Sequence, residues 1–175
     1  MVIIFSLLSY VLVTTSPESD EVVCKKIQAL PEILEFHTIS GDYSAIAKIK
    51  ASDTDSIGNV VMKKIRTLPG VVYTETLFVM KFSISSPLSK EVVLRSDKIT
   101  EFILVKTHPK KDITTYDRLQ KLPEITEAHM VLGEYDVIGK VEVQDINIFI
   151  NEFMAKVRKV PGVTSAKPVI KRTLL

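Results

Sequence analysis

Two short motifs hold the residues best placed to do chemistry: Gly41-Asp42-Tyr43 and Gly133-Glu134-Tyr135-Asp136. A glycine turn exposes backbone N–H groups, which can hold a carboxylate, and Asp136 can hold an ammonium group. Those are the two ends of an amino acid. The alternative is that Gly41 and Gly133 only make the turn and Asp136 only caps it. His37 and His129 form a second pair, and two imidazoles can bind a metal or titrate near neutral pH. No carboxylate or thiol partner is evident at ligand spacing, so ordinary strand histidines are expected. Lys48 and Lys140 could meet acidic groups, but a solvated or rim position is the expectation, and His108 is expected to be solvated. The single cysteine, Cys24, reads as a helix-face residue rather than a reactive thiol. There is no phosphate-cradling glycine loop, no Cys-x-x-Cys and no nucleophile–base–orienter set. Neither catalysis nor a metal nor a cofactor is expected.

These residues come in pairs because the chain repeats itself. Leu12-Val13-x-Thr15-x-Pro17 returns as Leu104-Val105-x-Thr107-x-Pro109. Leu30-Pro31-Glu32-Ile33-x-Glu35-x-His37-x-x-x-Gly41-x-Tyr43 returns as Leu122-Pro123-Glu124-Ile125-x-Glu127-x-His129-x-x-x-Gly133-x-Tyr135. Pro69-Gly70-Val71 returns as Pro161-Gly162-Val163, and the offset is 92 residues throughout, without a gap from Val11 to Met80. Each copy of about 70 residues is therefore one small folding unit. Three stretches follow: residues 1–81 as a first domain, 82–101 as a linker and 102–175 as a second domain. Units of this size bury a small fraction of their surface, so they are expected to pack on each other or on further chains.

The elements that must position the motifs can be read from one copy. A strand at Tyr10–Thr15, matched by Phe102–Thr107, precedes a helix of about three turns. Val23, Ile27 and Leu30 share one face of that helix, as do Thr115, Leu119 and Leu122. Asp20 and Asp112 suit its N-terminus, and Pro31 and Pro123 stop it. A hairpin follows, Ile33–Ser40 and Tyr43–Ala51, turning at Gly41-Asp42 and Gly133-Glu134. On its second strand Tyr135, Val137, Gly139, Val141 and Val143 share one face. On its first strand Leu34, Phe36, Ala128, Met130 and Leu132 are assigned one face and Ile33, Ile39, Ile125 and Val131 the other. A second helix begins near Asp53 and Asp145. Ile57, Val61, Ile65 and Leu68 make its apolar stripe, and Phe149, Phe153, Val157 and Val160 take the same positions. Pro-Gly ends it, and a last strand runs Val71–Met80 or Val163–Arg172. The order β-α-β-β-α-β predicts an α+β fold of two tandem ferredoxin-like domains, each an antiparallel sheet with both helices on one face. Both faces of the hairpin are partly apolar, so the second face is expected to be covered, most simply by the other copy as a pseudo-dimer. A short edge strand is possible in the linker at Glu91-Val92-Val93-Leu94-Arg95.

Bulk properties narrow the function classes. With 23 basic and 21 acidic residues the charge is nearly balanced, which argues against a nucleic-acid surface. One cysteine excludes an internal disulfide and fits a reducing, cytoplasmic setting. The apolar stretch Val2–Val13 is too short to span a membrane, and its end matches Ile103-Leu104-Val105, which is a strand. Residues 1–8 have no counterpart in the second copy.

The element order, the Gly-x-Tyr-Asp hairpin, and Pro69-Gly70-Val71 followed by Thr74-Glu75-Thr76 together resemble the effector-binding domain of the Lrp/AsnC transcriptional regulators, the RAM domain. The resemblance covers both copies. It implies that small effectors, typically amino acids, bind near the hairpin, with Gly41, Asp42, Tyr43, Thr74, Thr76, Gly133, Glu134, Tyr135 and Asp136 as the ligand-binding set. It also implies association into higher homo-oligomers. At most ten residues precede the first strand, so a stand-alone sensing module without its own helix-turn-helix is expected, acting through oligomerisation or through DNA-binding Lrp/AsnC relatives. The copies depart from the family pattern in complementary ways: Ser44 stands where the second copy has Asp136, and Ala166 and Pro168 stand where the first has Thr74 and Thr76. Two other readings stay open, a scaffold with degenerate ligand sites and a small enzyme of the dimeric α/β-barrel kind.

Overall fold

The computed structural model describes residues 6–80 and 97–172. They form two compact units, the first built from residues up to Val79 together with Lys171 and Arg172, the second from Met80 to Ile170. The expected edge strand in the linker and the first five residues lie outside the described residues.

In the first unit, β1 (Leu7–Thr15) leads through a short turn to α1 (Asp20–Gln28), then β2 (Ile33–Ser40) and β3 (Ala45–Ala51). Next comes α2 (Thr54–Asn59), which runs on as a π-helical segment Val60–Ile65, and then β4 (Val71–Val79). β1 pairs antiparallel with both β3 and β4, and β2 pairs with β3, giving the spatial order β4-β1-β3-β2. The second unit repeats this with β5 (Ile99–Thr107), α3 (Asp112–Leu119), β6 (Ile125–Leu132), β7 (Val137–Val143), a π-helical segment Ile148–Phe153 continued by α4 (Met154–Lys159), and β8 (Val163–Lys171). Its order is β8-β5-β7-β6. Both units are ferredoxin-like. Leu7 and Leu8 extend β1, and β5 begins at Ile99, inside the stretch expected as linker.

Each core lies between the sheet and its two helices. Val11, Val13, Ala45, Ala47 and Ile49 from the sheet meet Val23, Cys24 and Ile27 of α1 and Ile57, Val61 and Ile65 of the second helix. In the second unit Phe149 and Phe153 stack with ring centroids 6.1 Å apart and fill the corresponding stripe. The opposite sheet face is buried as well, at Tyr10, Leu12 and Ile46 and again at Phe102, Leu104 and Ile138. Helix starts follow their side chains: Asp53 accepts from the Ser56 N–H at 2.7 Å, and Asp145 accepts from the Asn147 and Ile148 N–H groups. The Pro-Gly turns pack close: Gly70 has φ +98°, and a Cβ there would lie 2.3 Å from the Ser19 Cβ. Gly162, at φ +99°, is held as tightly against Thr115.

Two expectations need correction. The face assignment of the first hairpin strand fails at Leu34 and Thr126. The pairing runs Ile33↔Ile49 and then Glu35↔Lys48, and Ile125↔Val141 and then Glu127↔Lys140, so two residues oppose one. Such a bulge reverses the alternation beyond it. Ile125 therefore shares the helix-facing core with Ala128 and Met130, while Leu34 and Leu132 are exposed. The second helices are also not regular α-helices throughout. Their π segments differ in place: 148 less 92 is 56, so the second begins four residues, about one turn, ahead of the first at Val60.

Candidate functional site

The site grows from the end of the first strand of each unit. In the first unit the hairpin residue Ser44 donates its N–H to the Val13 carbonyl at 2.7 Å, which ties the turn to β1. Gly41 makes that turn at φ +120°, where a side chain would be strained. The Ser44 hydroxyl accepts from the Thr15 N–H at 3.1 Å and lies 2.9 Å from the Thr15 hydroxyl. That hydroxyl donates to Asp20 Oδ1 at 2.7 Å, joining the hairpin to the start of α1. A cleft of about 380 Å³ opens here, lined by Thr15, Asp20, Gly41, Tyr43, Ser44 and Arg172.

Arg172 is the residue that sequence spacing missed. Its Nε donates to the Ile39 carbonyl at 2.8 Å, and its Nη2 pairs with Asp20 Oδ2 at 2.5 Å and reaches the Ser44 carbonyl at 3.4 Å. Its backbone N–H donates to the Thr38 carbonyl at 2.8 Å, and the Thr38 hydroxyl donates back to the Arg172 carbonyl. Burial would raise the Asp20 carboxyl, but the hydrogen bonds from Thr15 and Arg172 and the guanidinium charge outweigh it, so Asp20 titrates below the usual carboxylate range. The same buried corner pushes the Cys24 thiol up to about 12, through burial first and then the Asp20 charge. Cys24 is fully buried and protonated, as suits a packing residue.

The second unit keeps the frame and changes the charges. The Asp136 N–H donates to the Val105 carbonyl at 3.0 Å, and Asp136 Oδ2 accepts from the Thr107 N–H at 2.7 Å. The Thr107 hydroxyl lies 2.6 Å from Asp112 Oδ1 and 3.2 Å from Asp136 Oδ2. Glu134 is exposed and pairs with Lys106 at 3.5 Å, and the Lys106 ammonium also sits over the Tyr135 ring. Tyr135 itself is buried.

The expected ligand set is thus brought together in part. Gly41, Tyr43, Gly133, Glu134, Tyr135 and Asp136 lie at or beside the hairpin ends, and Asp42 is exposed at the turn, its carbonyl accepting from Thr14. Thr74 and Thr76 sit on β4, paired with Val13 and Val11 across β1 from the hairpin, and do not line the cleft.

The histidines have carboxylate partners after all. His37 Nε2 lies 2.7 Å from Glu35 Oε1, and His129 Nε2 lies 2.6 Å from Glu127 Oε1. Residues i and i+2 of a strand share a face, so that spacing was legible. Lys140 pairs with Glu127 at 3.4 Å and is largely buried, not a solvated rim residue. Among the described residues no group of three His, Cys, Asp or Glu side chains could hold a metal ion. Among them, too, no helix is long and apolar enough to cross a membrane.

The sequence profile of the Lrp/AsnC ligand binding domain matches this chain twice, over residues 8–88 and 100–170. The chain belongs to the Lrp/AsnC ligand-binding domain family. Among curated proteins it resembles the HTH-type transcriptional regulator FL11 of Pyrococcus horikoshii, at 30% identity over 77 residues, 44% of this chain and 50% of that one. It also resembles an uncharacterized HTH-type transcriptional regulator of Pyrococcus furiosus, at 28% identity over 72 residues, 39% of this chain and 48% of that one. The chain thus spans about half the length of the curated relatives it matches. Among solved structures, the siroheme decarboxylase NirDL superposes with a TM-score of 0.71 over 96% of this chain and 72% of its own, at 7% identity. That likeness is one of fold alone.

Proposed function

We propose that this member of the Lrp/AsnC ligand-binding family senses a small zwitterion, an amino acid or a close relative, at the hairpin ends of its two units. The observation that carries the reading is the cleft beside Gly41, Tyr43 and Ser44. Its volume suits a small metabolite, and its wall combines hydroxyl, carboxylate and guanidinium groups with the apolar surface of Pro17, Ile39 and Tyr43. Asp136 and the turn N–H groups of the second hairpin supply the matching polarity for an ammonium and a carboxylate. The output runs through higher assembly or through DNA-binding Lrp/AsnC relatives, in a reducing, cytoplasmic setting that suits a chain whose one thiol is buried. The relatives named above are regulators, which supports a regulatory role over a catalytic one. The fold shared with NirDL adds no chemistry of its own.

A thermal-shift panel of the pure chain against the twenty amino acids tests this. A ligand at 100 times its dissociation constant should stabilise the fold by about 2.7 kcal/mol and raise the melting temperature visibly. A rise with one amino acid that is lost in Asp136→Ala supports the sensor. A flat panel would leave a scaffold with degenerate sites as the better account.

A further inference from the structure

The first unit has a second cleft, at the end of β3 away from the hairpin. It encloses about 400 Å³, and its polar lining is Glu32, Lys50, Ser52, Ser56, Asn59 and Lys64. Ser56, Val60 and Lys64 follow one another at i, i+4 and i+8, so one face of the second helix makes a wall. The end of β3 and the loop after it make the other. Glu32 joins the two: its backbone carbonyl accepts from the Lys50 N–H at 3.2 Å, and its carboxylate pairs with the Lys64 ammonium. The start of α2 offers a guest nothing, because Asp53 already accepts from the Ser56 N–H at 2.7 Å. Asp53 also takes the Ser52 hydroxyl proton at 2.7 Å. The Ser56 hydroxyl, 3.1 Å from that of Ser52, is the one that can turn its proton into the cleft. Lys50 is exposed, and among the described residues no carboxylate lies within ion-pair distance of it.

The second unit holds the same place with the opposite charge. Ninety-two residues on, Lys50 becomes Glu142, Ser56 becomes Ile148 and Val60 becomes Glu152. Glu32 and Lys64 return as Glu124 and Lys156, paired at 2.5 Å. A pair present in both units is a brace between the start of β2 or β6 and the second helix. Lys50 is no part of that brace. With it, the charged residues lining the first cleft sum to plus one, whereas Glu124, Glu142, Glu152 and Lys156 sum to minus two.

We propose that the first unit's cleft binds a phosphoryl group, with Lys50 as the residue that selects it and Lys64 as the second cation. A phosphoryl group carries close to two charges at neutral pH and three strong acceptor oxygens. The cleft supplies matching donors: the Lys50 ammonium, the two Lys64 protons that Glu32 leaves over, the Asn59 amide and the Ser56 hydroxyl. Lysine holds phosphate as a point charge, which suits an open cleft without the fixed fork of an arginine. Ala51 and Val60 add apolar surface, and the volume leaves room for the carbon skeleton of a phosphate ester. Glu142 and Glu152 repel the same group in the second unit, so one is bound per chain. This site is separate from the hairpin ends and does not depend on the sensor reading.

Isothermal titration of the full chain with inorganic phosphate, glycerol 3-phosphate and acetate, at constant ionic strength, tests the assignment. Phosphate or its ester should bind once per chain and about tenfold or more tighter than acetate, since a dianion engages both lysines. The tighter of the two phosphoryl probes tells whether the guest is an ester or free phosphate. Lys50→Glu, which installs the second unit's residue, should weaken binding about tenfold or more with little change in melting temperature. Should that variant fold poorly, Lys50→Gln removes the charge alone and should act in the same direction. Asp136→Ala should leave phosphoryl binding unchanged. Absence of binding by both phosphoryl probes would overturn the proposal. So would binding that survives whichever Lys50 variant folds, binding lost in Asp136→Ala, or acetate held as tightly as phosphate.

Discussion

The two units are the same fold solved twice, and they handle volume and charge differently. Where volume changes, a neighbour compensates. Val11 faces Ala47 across the β1–β3 ladder, and the corresponding pair in the second unit is Ile103 facing Gly139. A Cβ on Gly139 would lie 2.9 Å from Ile103 Cγ1, so the larger isoleucine takes the space the alanine methyl gave up. Cys24 becomes Tyr116, whose hydroxyl finds the Ala128 carbonyl at 3.1 Å in the buried interior. Charge does not follow this rule. The cation at Arg172 and the hydroxyl at Ser44 are both replaced, by Met80 and Asp136, in ways that add to the same imbalance. Close packing punishes an uncompensated methylene at once, whereas a partly exposed charge can be left for solvent or a ligand to balance.

The core side of this comparison breaks most easily at Phe149. Phe149→Ala should cost about 3–5 kcal/mol, because the ring is fully buried and stacked. Urea unfolding of the variant measures it, and a loss below about 1 kcal/mol would mean the second core is not close-packed. A double-mutant cycle sharpens the compensation claim. Gly139→Ala alone should destabilise by about 1–3 kcal/mol, and the added Ile103→Val should recover part of that loss by restoring the first unit's pairing. Strict additivity of the two changes would deny the coupling.

The charge side is tested by acid. The Asp20 carboxyl is held below its usual range, so its contribution is present at neutral pH and fades as pH falls through its lowered folded value. Arg172→Met removes the partner, lets Asp20 titrate higher and should move the onset of acid unfolding to higher pH. At neutral pH the cost should stay near or below about 1 kcal/mol, because the pair is partly exposed. An unchanged acid limb, followed by circular dichroism, would deny Arg172 its role.

Much of this fold is legible in the sequence because the repeat states each element twice. Helix stripes survive their own substitutions, as Ile57 and Val61 become Phe149 and Phe153, and the Pro-Gly and Gly-x-Tyr turns mark the boundaries. Phase is harder. One extra residue at Leu34 and Thr126 reverses the faces of the hairpin strand, and nothing in residue type announces it, since leucine and threonine both suit regular strands. The π segments are hidden for the same reason: an apolar stripe tolerates a widened turn. Of the site, the hairpin glycines and Asp136 stand out by pattern. Arg172 does not. It lies 152 residues from Asp20, and its counterpart is a methionine, so the very comparison that reveals the rest conceals it. The Glu35–His37 and Glu127–His129 pairs, by contrast, were there to be seen in the period of the strand.

The place of Arg172 in the first unit has a bearing on how the chain is made. Synthesis runs from one end, and 92 residues lie between Val79 and Arg172. At cellular elongation rates the ribosome takes roughly 5–20 s to cover them. Throughout that interval the residues of the first unit's strands and helices have been made, but not the residue that neutralises Asp20. Its cleft is completed only after the second unit has been translated, so the earlier half of the protein waits on the later half to be finished.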